Sequence, residues 1–334
     1  MATDLKTVLV TGGAGFIGSH LALGIKAAYP AARIIALDNL KRRGSGLNLG
    51  RLRRGGVEFV HGDVRVPDDL PHLDDLDLIL ECSAEPSVMA GYGGSPRYVI
   101  DSNLFGAVHC LELARRTGAA MLFMSTSRAY PITKLHAIAL DEGKKRFTIA
   151  EQQQLPGITT AGIAEDFPID GARSLYGATK YAAETLIAEY VAMYGLNIVV
   201  NRCGVIAGPW QMGKVDQGVA ALWVARHIYG GKLAYIGYGG AGKQVRDMLH
   251  VDDLLALLLQ QMTMLDTLRG NVFNVGGGTE NSASLVELTE YCQQVTGITI
   301  PIDSIPETRD GDIPLYITDN TRIQQVCTDR KSVV

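Results

Sequence analysis

The sequence predicts an α/β fold, in which a doubly wound parallel sheet carries helices on both faces and a smaller C-terminal α/β domain follows it. In the first half of the chain, short apolar runs bounded by Gly or Asp alternate with segments of helical length. The chain has 334 residues, enough for about two domains of ordinary size. Strand–helix–strand alternation implies crossover connections, and these make neighbouring strands parallel.

The strands are predicted from short, continuous apolar runs, which are typical of strands covered on both faces. They are Thr7–Val10, Arg33–Leu37, Val57–Val60, Leu76–Leu80, Ala120–Met124, Ile198–Val200 and Val272–Val275.

The helices are predicted from longer segments with start and stop signals, such as Ser95 before the second helix and Gly118 after it. They are Phe16–Ala28, Pro96–Arg116, Ser174–Tyr194, Val251–Leu265 and Ser284–Thr296. Residues 131–171 lose periodicity over a length unusual for a loop, which indicates a functional segment or a small insertion. We expect a first domain over 1–203 with a returning segment around 233–275, and a second domain mainly over 204–334.

Composition excludes several classes of protein. With 31 Lys and Arg against 35 Asp and Glu, the net charge of −4 argues against a basic nucleic-acid-binding protein. Five cysteines without a CxxC pair and seven histidines without HxH or HExxH spacing predict neither disulfides nor a metal site. A serine hydrolase would need GxSxG, which is absent. Since neither a signal peptide nor an apolar run of about 20 residues occurs, we expect a cytoplasmic protein without a membrane segment.

The glycine-rich motif Thr11–Gly18 follows a predicted strand and opens a predicted helix. Gly12 allows a tight turn, Gly15 lets a pyrophosphate approach the backbone, and Gly18 lets helix and strand pack closely. Asp38 ends the second strand, where its carboxylate can accept hydrogen bonds from the adenosine ribose. The motif predicts a Rossmann-type dinucleotide site, and Asp38 favours NAD because its charge repels a 2′-phosphate.

Two further features near this motif have alternative interpretations. The basic residues Lys41, Arg42, Arg43, Arg51, Arg53 and Arg54 form a solvated loop or contact nucleotide phosphates. Asp63 ends the third strand and either touches the adenine amino group or caps a helix.

Tyr176 and Lys180 are four residues apart and therefore share one face of a predicted helix. A nearby ammonium stabilises a phenolate, so this spacing can make tyrosine a general base. The hydroxyl-rich strand end Ser125-Thr126-Ser127 can bind the same substrate hydroxyl.

Together these residues resemble the extended short-chain dehydrogenase/reductases that act on nucleotide sugars. The resemblance runs from about Thr7 to Asp319 and includes Asn103, Arg202 and Arg246-Asp247. It implies a Rossmann-type doubly wound parallel sheet, a C-terminal α/β substrate-binding domain, and catalysis by Thr126, Tyr176 and Lys180. The residues it implies for NAD are Gly12, Gly15, Phe16, Ile17, Gly18, Asp38, Asn39, Asp63, Val64, Ser83, Ala84, Glu85, Asn103, Ser125, Tyr176, Lys180 and Cys203. Those it implies for a nucleotide-diphosphate sugar are Ser87, Thr126, Gln211, Gln217, Arg246 and Arg309.

Within this family, residues 210–218 and 242–250 are most similar to members that invert C2 of a CDP-linked dideoxyhexose. The alternatives are inversion of C4 in a UDP- or other NDP-hexose, and a catalytically silent NAD-binding protein. Dehydratases carry Asp-Glu after the catalytic Thr and decarboxylases carry Glu two residues after it, whereas this chain has Ser127-Arg128. The resemblance also implies a homodimer formed by the helices Pro96–Arg116 and Ser174–Tyr194.

Overall fold

The computed structural model describes residues 5–212 and 218–327. The expected substrate ligand Gln217 lies outside the described residues. Strands β1 to β17 span Thr7–Thr11, Arg33–Asp38, Glu58–His61, Leu76–Glu81, Ala120–Thr126, Leu140–Glu142, Phe147–Ile149, Ile158–Thr159, Gly162–Ile163, Ile198–Cys203, Val205–Ala207, Leu233–Ile236, Val245–His250, Val272–Val275, Ser282–Ser284, Ile302–Ile305 and Leu315–Tyr316. Helices α1 to α10 span Phe16–Ala28, Leu49–Arg54, Arg97–Ile100, Gly106–Thr117, Ile132–His136, Leu175–Tyr194, Val219–Tyr229, Val251–Thr263, Leu285–Thr296 and Thr321–Val326.

The predicted doubly wound sheet is confirmed. Its seven strands run in the order β3-β2-β1-β4-β5-β10-β14, and every neighbouring pair is parallel. The order reverses between β1 and β4, and ligands of such sheets bind in the crevice at the carboxyl ends beside this switch point.

A separate apolar core covers each face of the main sheet. On one face, Leu21 and Ile25 of α1 share a buried cluster with Leu254 and Leu258 of α8. On the other face, α4 and α6 contribute buried side chains to a second cluster. Burial on both faces explains why these strands are almost continuously apolar.

The helix that carries the Tyr–Lys pair has clear end signals. The Ser174 hydroxyl accepts a hydrogen bond from the Gly177 backbone N–H at 3.2 Å, which caps the first turn of α6. The helix ends at Gly195, whose φ of 68° is the left-handed conformation of a helix C-cap. The helix that was predicted to start at Ser174 therefore begins at Leu175, and Ser174 is its N-cap.

Residues 131–171 form short elements, not one irregular loop. They contain α5 and the two antiparallel pairs β6–β7 and β8–β9. Their apolar side chains pack with the C-terminal segment, since Leu135 and Phe167 share one buried cluster with Tyr316. The insertion therefore belongs structurally with the C-terminal residues.

Several other boundaries differ from the sequence prediction. The segment predicted as one helix over Pro96–Arg116 consists of α3, a π-helical turn at Asp101–Phe105 and α4. Helices α2, α5, α7 and α10 were not predicted, and none of these four has a side-chain cap to mark its start. The segment 233–275, which was predicted to return to the first domain, is divided. Strand β14 enters the main sheet and α8 covers that sheet. Strand β12 pairs with β16, and β13 pairs with β11, β15 and β17, outside the main sheet. The division into domains at 203/204 stays a prediction.

Candidate active site

The glycine motif forms the turn between β1 and α1. Gly12 has a φ of +61°, and a Cβ there would lie 2.8 Å from the Cys82 carbonyl oxygen. A Cβ at Gly18 would lie 2.2 Å from the Gly12 carbonyl oxygen. Both positions therefore need glycine, which lets the start of α1 press against β1, and Gly15 to Gly18 line the cavity there.

One large cavity, of about 680 Å³, begins at this turn and extends to the C-terminal segment. Its described lining includes eight cationic side chains and three carboxylates. The cations are Arg42, Arg43, Arg128, Lys180, Arg226, Lys232, Arg246 and Arg309, and the acids are Asp303, Asp310 and Asp312. A cation-rich wall beside a helix N-terminus suits ligands that carry diphosphates. The turn and the cavity thus fit NAD.

Many of the predicted ligand residues line this cavity, and others lie behind its wall. Those on the wall are Gly12, Gly15, Phe16, Ile17, Gly18, Ala84, Ser125, Thr126, Tyr176, Lys180, Cys203, Gln211, Arg246 and Arg309. Those not on it are Asp38, Asn39, Asp63, Val64, Ser83, Glu85, Ser87 and Asn103.

Asp38 ends β2 and holds the glycine turn from behind. Its two carboxylate oxygens accept hydrogen bonds from the backbone N–H groups of Ala14 at 3.1 Å and Leu40 at 2.7 Å. Burial raises the pKa of this carboxyl. A carboxylate offers four lone-pair positions, so Asp38 can still accept from a ribose hydroxyl.

Asn39 and Asp63 bind each other, with Asn39 Nδ2 donating to Asp63 Oδ2 at 2.9 Å. Asp63 also pairs with Arg65 at 2.6 Å. Burial alone would raise the pKa of Asp63, but hydrogen bonds from Arg65 and Asn39 lower it to about 2. These contacts connect the ends of β2 and β3 beneath the expected adenine end of the site.

Asn103 and Glu85 also bind each other. The Asn103 side chain accepts from the Glu85 N–H at 2.8 Å, and it donates to the Glu85 carbonyl oxygen and to Thr179 Oγ1, each at 3.2 Å. Asn103 therefore fixes the loop after β4 against α6. This places Thr179, the neighbour of Lys180, relative to the switch point.

Thr126 and Tyr176 meet where β5 ends against the first turn of α6. The Thr126 hydroxyl accepts from the Arg128 backbone N–H at 3.1 Å, and Thr126 and Tyr176 both line the cavity. Burial raises the pKa of the Tyr176 phenol, while Lys180, the Thr126 hydroxyl and Arg128 act in the opposite direction. The predicted group of alcohol, phenol and ammonium is thus assembled on the cavity wall.

Lys180 is 1% exposed and donates to Glu81 Oε2 at 3.0 Å. Burial disfavours its charge, but attraction to Glu81 and Tyr176 outweighs burial and raises the pKa of Lys180. Glu81 was not among the site residues predicted from the sequence. A carboxylate at the end of an apolar strand was the available signal, the same one that identified Asp38 and Asp63.

Ser125 turns toward α6, where its hydroxyl donates to the carboxylate of Glu184. The same carboxylate accepts two hydrogen bonds from the Arg202 guanidinium, from Nη2 at 2.7 Å and from Nε at 3.0 Å, both to Oε2. Tyr130 accepts from Arg202 at 3.2 Å and donates to Asn274 at 2.9 Å. This buried network fixes the ends of β5, β10 and β14 beneath the catalytic group.

The far end of the cavity is built from arginines and a turn near the C-terminus. Arg246 pairs with Asp312 at 2.9 Å, and Arg309 lines the wall nearby. Arg128 Nη1 donates to the Gly311 carbonyl oxygen at 3.1 Å, and within the described chain no carboxylate forms an ion pair with it. Burial and the charge of Arg246 lower the pKa of Arg128 to about 10.

The basic loop after β2 is divided between the cavity and the protein surface. Arg42 and Arg43 line the cavity near the glycine turn. The Arg51 guanidinium lies 4.3 Å from the ring centre of Trp210, whose φ is +67°. Gln211 Nε2 donates to the Ile206 carbonyl oxygen at 2.9 Å. This bond fixes the chain at Trp210 and Gln211, both of which line the cavity.

The described residues contain neither a metal-binding cluster nor a membrane-spanning helix. Among residues 5–212 and 218–327, no cluster of His, Cys, Asp and Glu is arranged to hold a metal ion. Over the same two ranges, none of the helices combines the length and apolar character needed to cross a bilayer.

Comparison with known proteins matches residues 8–276 to the NAD dependent epimerase/dehydratase family. CDP-paratose 2-epimerase of Salmonella typhi is 31% identical over 95% of this chain and 92% of that protein. UDP-glucuronic acid decarboxylase 3 of Arabidopsis thaliana is 30% identical over 91% of this chain and 78% of that protein. The Thermus thermophilus UDP-glucose 4-epimerase complex with NAD is 26% identical, with a TM-score of 0.75 and coverage of 98% and 95% of the two chains. The chain therefore belongs to the NAD dependent epimerase/dehydratase family and is an NAD-dependent enzyme of that family.

Proposed function

We propose that this enzyme inverts C2 of a CDP-linked dideoxyhexose through a transient keto sugar. The observation that carries the proposal is the group of Thr126, Tyr176 and Lys180 on the wall of the cavity that starts at the glycine turn. The similarity to CDP-paratose 2-epimerase, which extends over 95% of the chain, supports the choice of nucleotide and carbon.

In this proposal the protein moves one proton. Tyr176 Oη, as phenolate, takes the proton of the sugar hydroxyl and returns it after the sugar has turned over. Thr126 Oγ1 orients that hydroxyl, because the bond from the Arg128 N–H fixes the threonine side chain while its O–H and second lone pair remain for the sugar. When bound, NAD supplies the hydride acceptor and returns the hydride, so the net reaction is redox-neutral.

The binding roles follow from the glycine motif with Asp38 behind it, and from the positions of the other side chains around the cavity. The backbone around Gly15 and the start of α1 would hold the NAD pyrophosphate, and Asp38 the adenosine ribose. Lys180 would hold the nicotinamide ribose. Arg246 and Arg309 would bind the diphosphate of the sugar nucleotide, since a planar guanidinium can contact two phosphate oxygens at once.

The residues after Thr126 argue against elimination or decarboxylation. Position 128 holds an arginine that lines the cavity, and position 127 a serine. A dehydratase needs an acid and a base there to remove water, and neither side chain supplies them. Epimerisation needs only the Tyr176 proton, so these two residues support epimerisation over elimination.

The test is a panel of CDP-, UDP-, GDP- and dTDP-sugars incubated with the purified enzyme in deuterated water, with product stereochemistry read by NMR. We expect inversion at C2 of a CDP-dideoxyhexose, without solvent deuterium at that carbon and without added NAD if the cofactor co-purifies. Inversion at C4 of a UDP-hexose would select the second candidate, which the 26% identity to the Thermus UDP-glucose 4-epimerase supports. Deuterium at the inverted carbon, or stoichiometric NADH release, would reject hydride return.

We further propose a homodimer in which α4 and α6 of two protomers form a four-helix bundle. Met193 and Tyr194 near the end of α6 are 67% and 48% exposed, and Phe105 next to α4 is 48% exposed. These side chains leave apolar surface at both ends of the helix pair, which supports a contact along its outer side. Light scattering should give twice the chain mass, and a Met193→Asp variant should shift it toward the monomer. A wild-type monomer would contradict the proposal.

The five cysteines all lie within the described ranges, and none of them forms a disulfide there. This supports our proposal that the enzyme works in the reducing cytoplasm.

A further inference from the structure

Glu81 is a buried carboxylate directly behind the catalytic group. It is the last residue of β4, beside the switch point of the sheet, and only 1% of it is exposed. Its Oε2 lies 3.0 Å from Lys180 Nζ, which belongs to an element 99 residues further along the chain. Glu81 itself does not line the cavity, so it reaches the ligands only through Lys180.

Neither member of this pair would keep its charge alone at such a depth. Burial raises the pKa of Glu81, and the Lys180 ammonium is the first of the groups that oppose this. Burial likewise disfavours the ammonium, and Glu81 is the largest contribution that favours it. Removing one partner would leave an uncompensated buried charge, which is strongly unfavourable unless the remaining group is neutralised.

The charged and titratable groups around Lys180 come from two elements. Tyr176 belongs to its own helix, while Glu81 and Cys82 come from β4 and the residue after it. Strand β5 contributes the Phe123 ring, whose centre lies 4.4 Å from Nζ. Among the described residues, Glu81 is the one carboxylate within ion-pair distance of Lys180.

The geometry also determines which way the ammonium points. An ammonium has three N–H donors, and one of them is committed to Glu81 on the sheet side. The other two remain for groups on the cavity side, where Tyr176 lies and where the nicotinamide ribose is proposed to bind. A lysine without this anchor would have four rotatable bonds to order at each binding event.

We propose that Glu81 is a positioning residue that keeps Lys180 protonated and directed at the cavity. This inference rests on the proposed function, in which Lys180 supports the Tyr176 phenolate. The carboxylate of Glu81 neither touches substrate nor moves a proton. It acts through the one hydrogen bond to Nζ.

The direct test follows the protonation of Lys180 in the full-length enzyme without nucleotide sugar. Lysine labelled with ¹³C at Cε reports the charge of Nζ by NMR, and Lys180→Met identifies the signal. In the wild type the titration midpoint should lie above the ordinary value of about 10.4. In Glu81→Gln, which keeps the shape but removes the charge, the midpoint should fall by at least about one unit.

Turnover gives the second readout. In the wild type, kcat should show no decline up to about pH 10, because Lys180 stays protonated. In Glu81→Gln a falling limb should appear below that pH, whereas Glu81→Asp, which keeps the charge, should lower kcat without this limb. Glu165→Gln is the matched control, because Glu165 accepts from the Asn274 N–H and lies outside this pair; it should leave the pH profile unchanged.

The possible results separate the two proposals. A wild-type Lys180 midpoint below the ordinary value would overturn the inference, whether or not Glu81→Gln folds. An unchanged midpoint in folded Glu81→Gln would overturn it as well. If the midpoint falls in Glu81→Gln but no nucleotide sugar is turned over by the wild type, the role of Glu81 stands and the proposed function fails.

Discussion

Gly177 allows the helix that carries the catalytic pair to pack against the turn after β5. It directly follows Tyr176, and a Cβ at this position would lie 2.0 Å from the Arg128 carbonyl oxygen. That is more than 1 Å short of the 3.4 Å at which ordinary contact begins. The obstacle is backbone, so no side-chain rotation can relieve it, and Gly177→Ala must push α6 away from the turn.

Two opposing effects decide whether Gly177→Ala raises or lowers the free energy of unfolding. Alanine in a helix is better than glycine by about 1 kcal/mol, which alone would stabilise the variant. Overpacking against rigid surroundings costs about 1–3 kcal/mol, and the severe overlap here places Gly177 at the upper end of that range. We expect a net loss of about 1–2 kcal/mol and a melting temperature lower by several degrees.

The effect on catalysis should exceed the effect on stability. Thr126 directly precedes the turn and Tyr176 lies in the helix, so separating the two elements moves the alcohol away from the phenol. A displacement of about 1 Å between reacting groups can cost on the order of 100-fold in rate. The assay is kcat on the substrate found by the panel, together with thermal unfolding of the same preparation.

Gly50 in α2 is the matched control. A Cβ there meets no atom of the described chain within 4 Å, so Gly50→Ala should stabilise the protein by about 0.5–1 kcal/mol and leave kcat unchanged. A Gly177→Ala enzyme that melts at or above the wild-type temperature with full activity would refute the packing argument.

Three further predictions concern single side chains. Tyr176→Phe should lower turnover by at least about 100-fold, while the NAD affinity measured by calorimetry stays the same. The control is Tyr291→Phe, because Tyr291 is exposed. Full activity of Tyr176→Phe would show that Tyr176 is not the base. Asp38→Ala should weaken NAD far more than the nucleotide sugar in the same titrations, and equal losses would contradict its ribose role. Asp63 has a folded pKa of about 2 against about 3.9 in the unfolded chain, so it contributes stability above the unfolded value that is lost as the pH falls through about 2. The advantage of the wild type over Asp63→Asn in acid unfolding should therefore fade over that interval, and a constant difference would contradict the assignment.

Local patterns in the sequence predicted the parts of the fold that depend on neighbours along the chain. The strands of the main sheet are continuous apolar runs, and the Thr11–Gly18 turn carries its glycines at the spacing its geometry requires. Helix α7 lacked such a signal, because it begins after Gly218 without a capping side chain and no acidic residue lies in its first turn.

The missed parts of the site depend on contacts between distant segments. The pairing of Glu81 with Lys180 spans 99 residues, and the bond from Arg128 to Gly311 spans 183. Asn39 and Asp63 were predicted as cofactor ligands, but nothing in their local sequence indicated that their side chains bind each other. Sequence patterns identify which residue types stand at the carboxyl ends of strands, whereas tertiary packing decides which of them reach the cavity.

The turn after β5 has a consequence for engineering. From Thr126 the chain needs only four residues to reach Tyr130, which packs against Tyr316 near the C-terminus with ring centres 6.3 Å apart. The chain returns just before Ser174, two residues ahead of the phenol. A chimaera that exchanges the C-terminal half while keeping residues 1–203 would therefore retain the insertion without its packing partner, and the mismatch would lie next to the reactive groups. Altered sugar preference is better sought by exchanging the insertion and the C-terminal segment together.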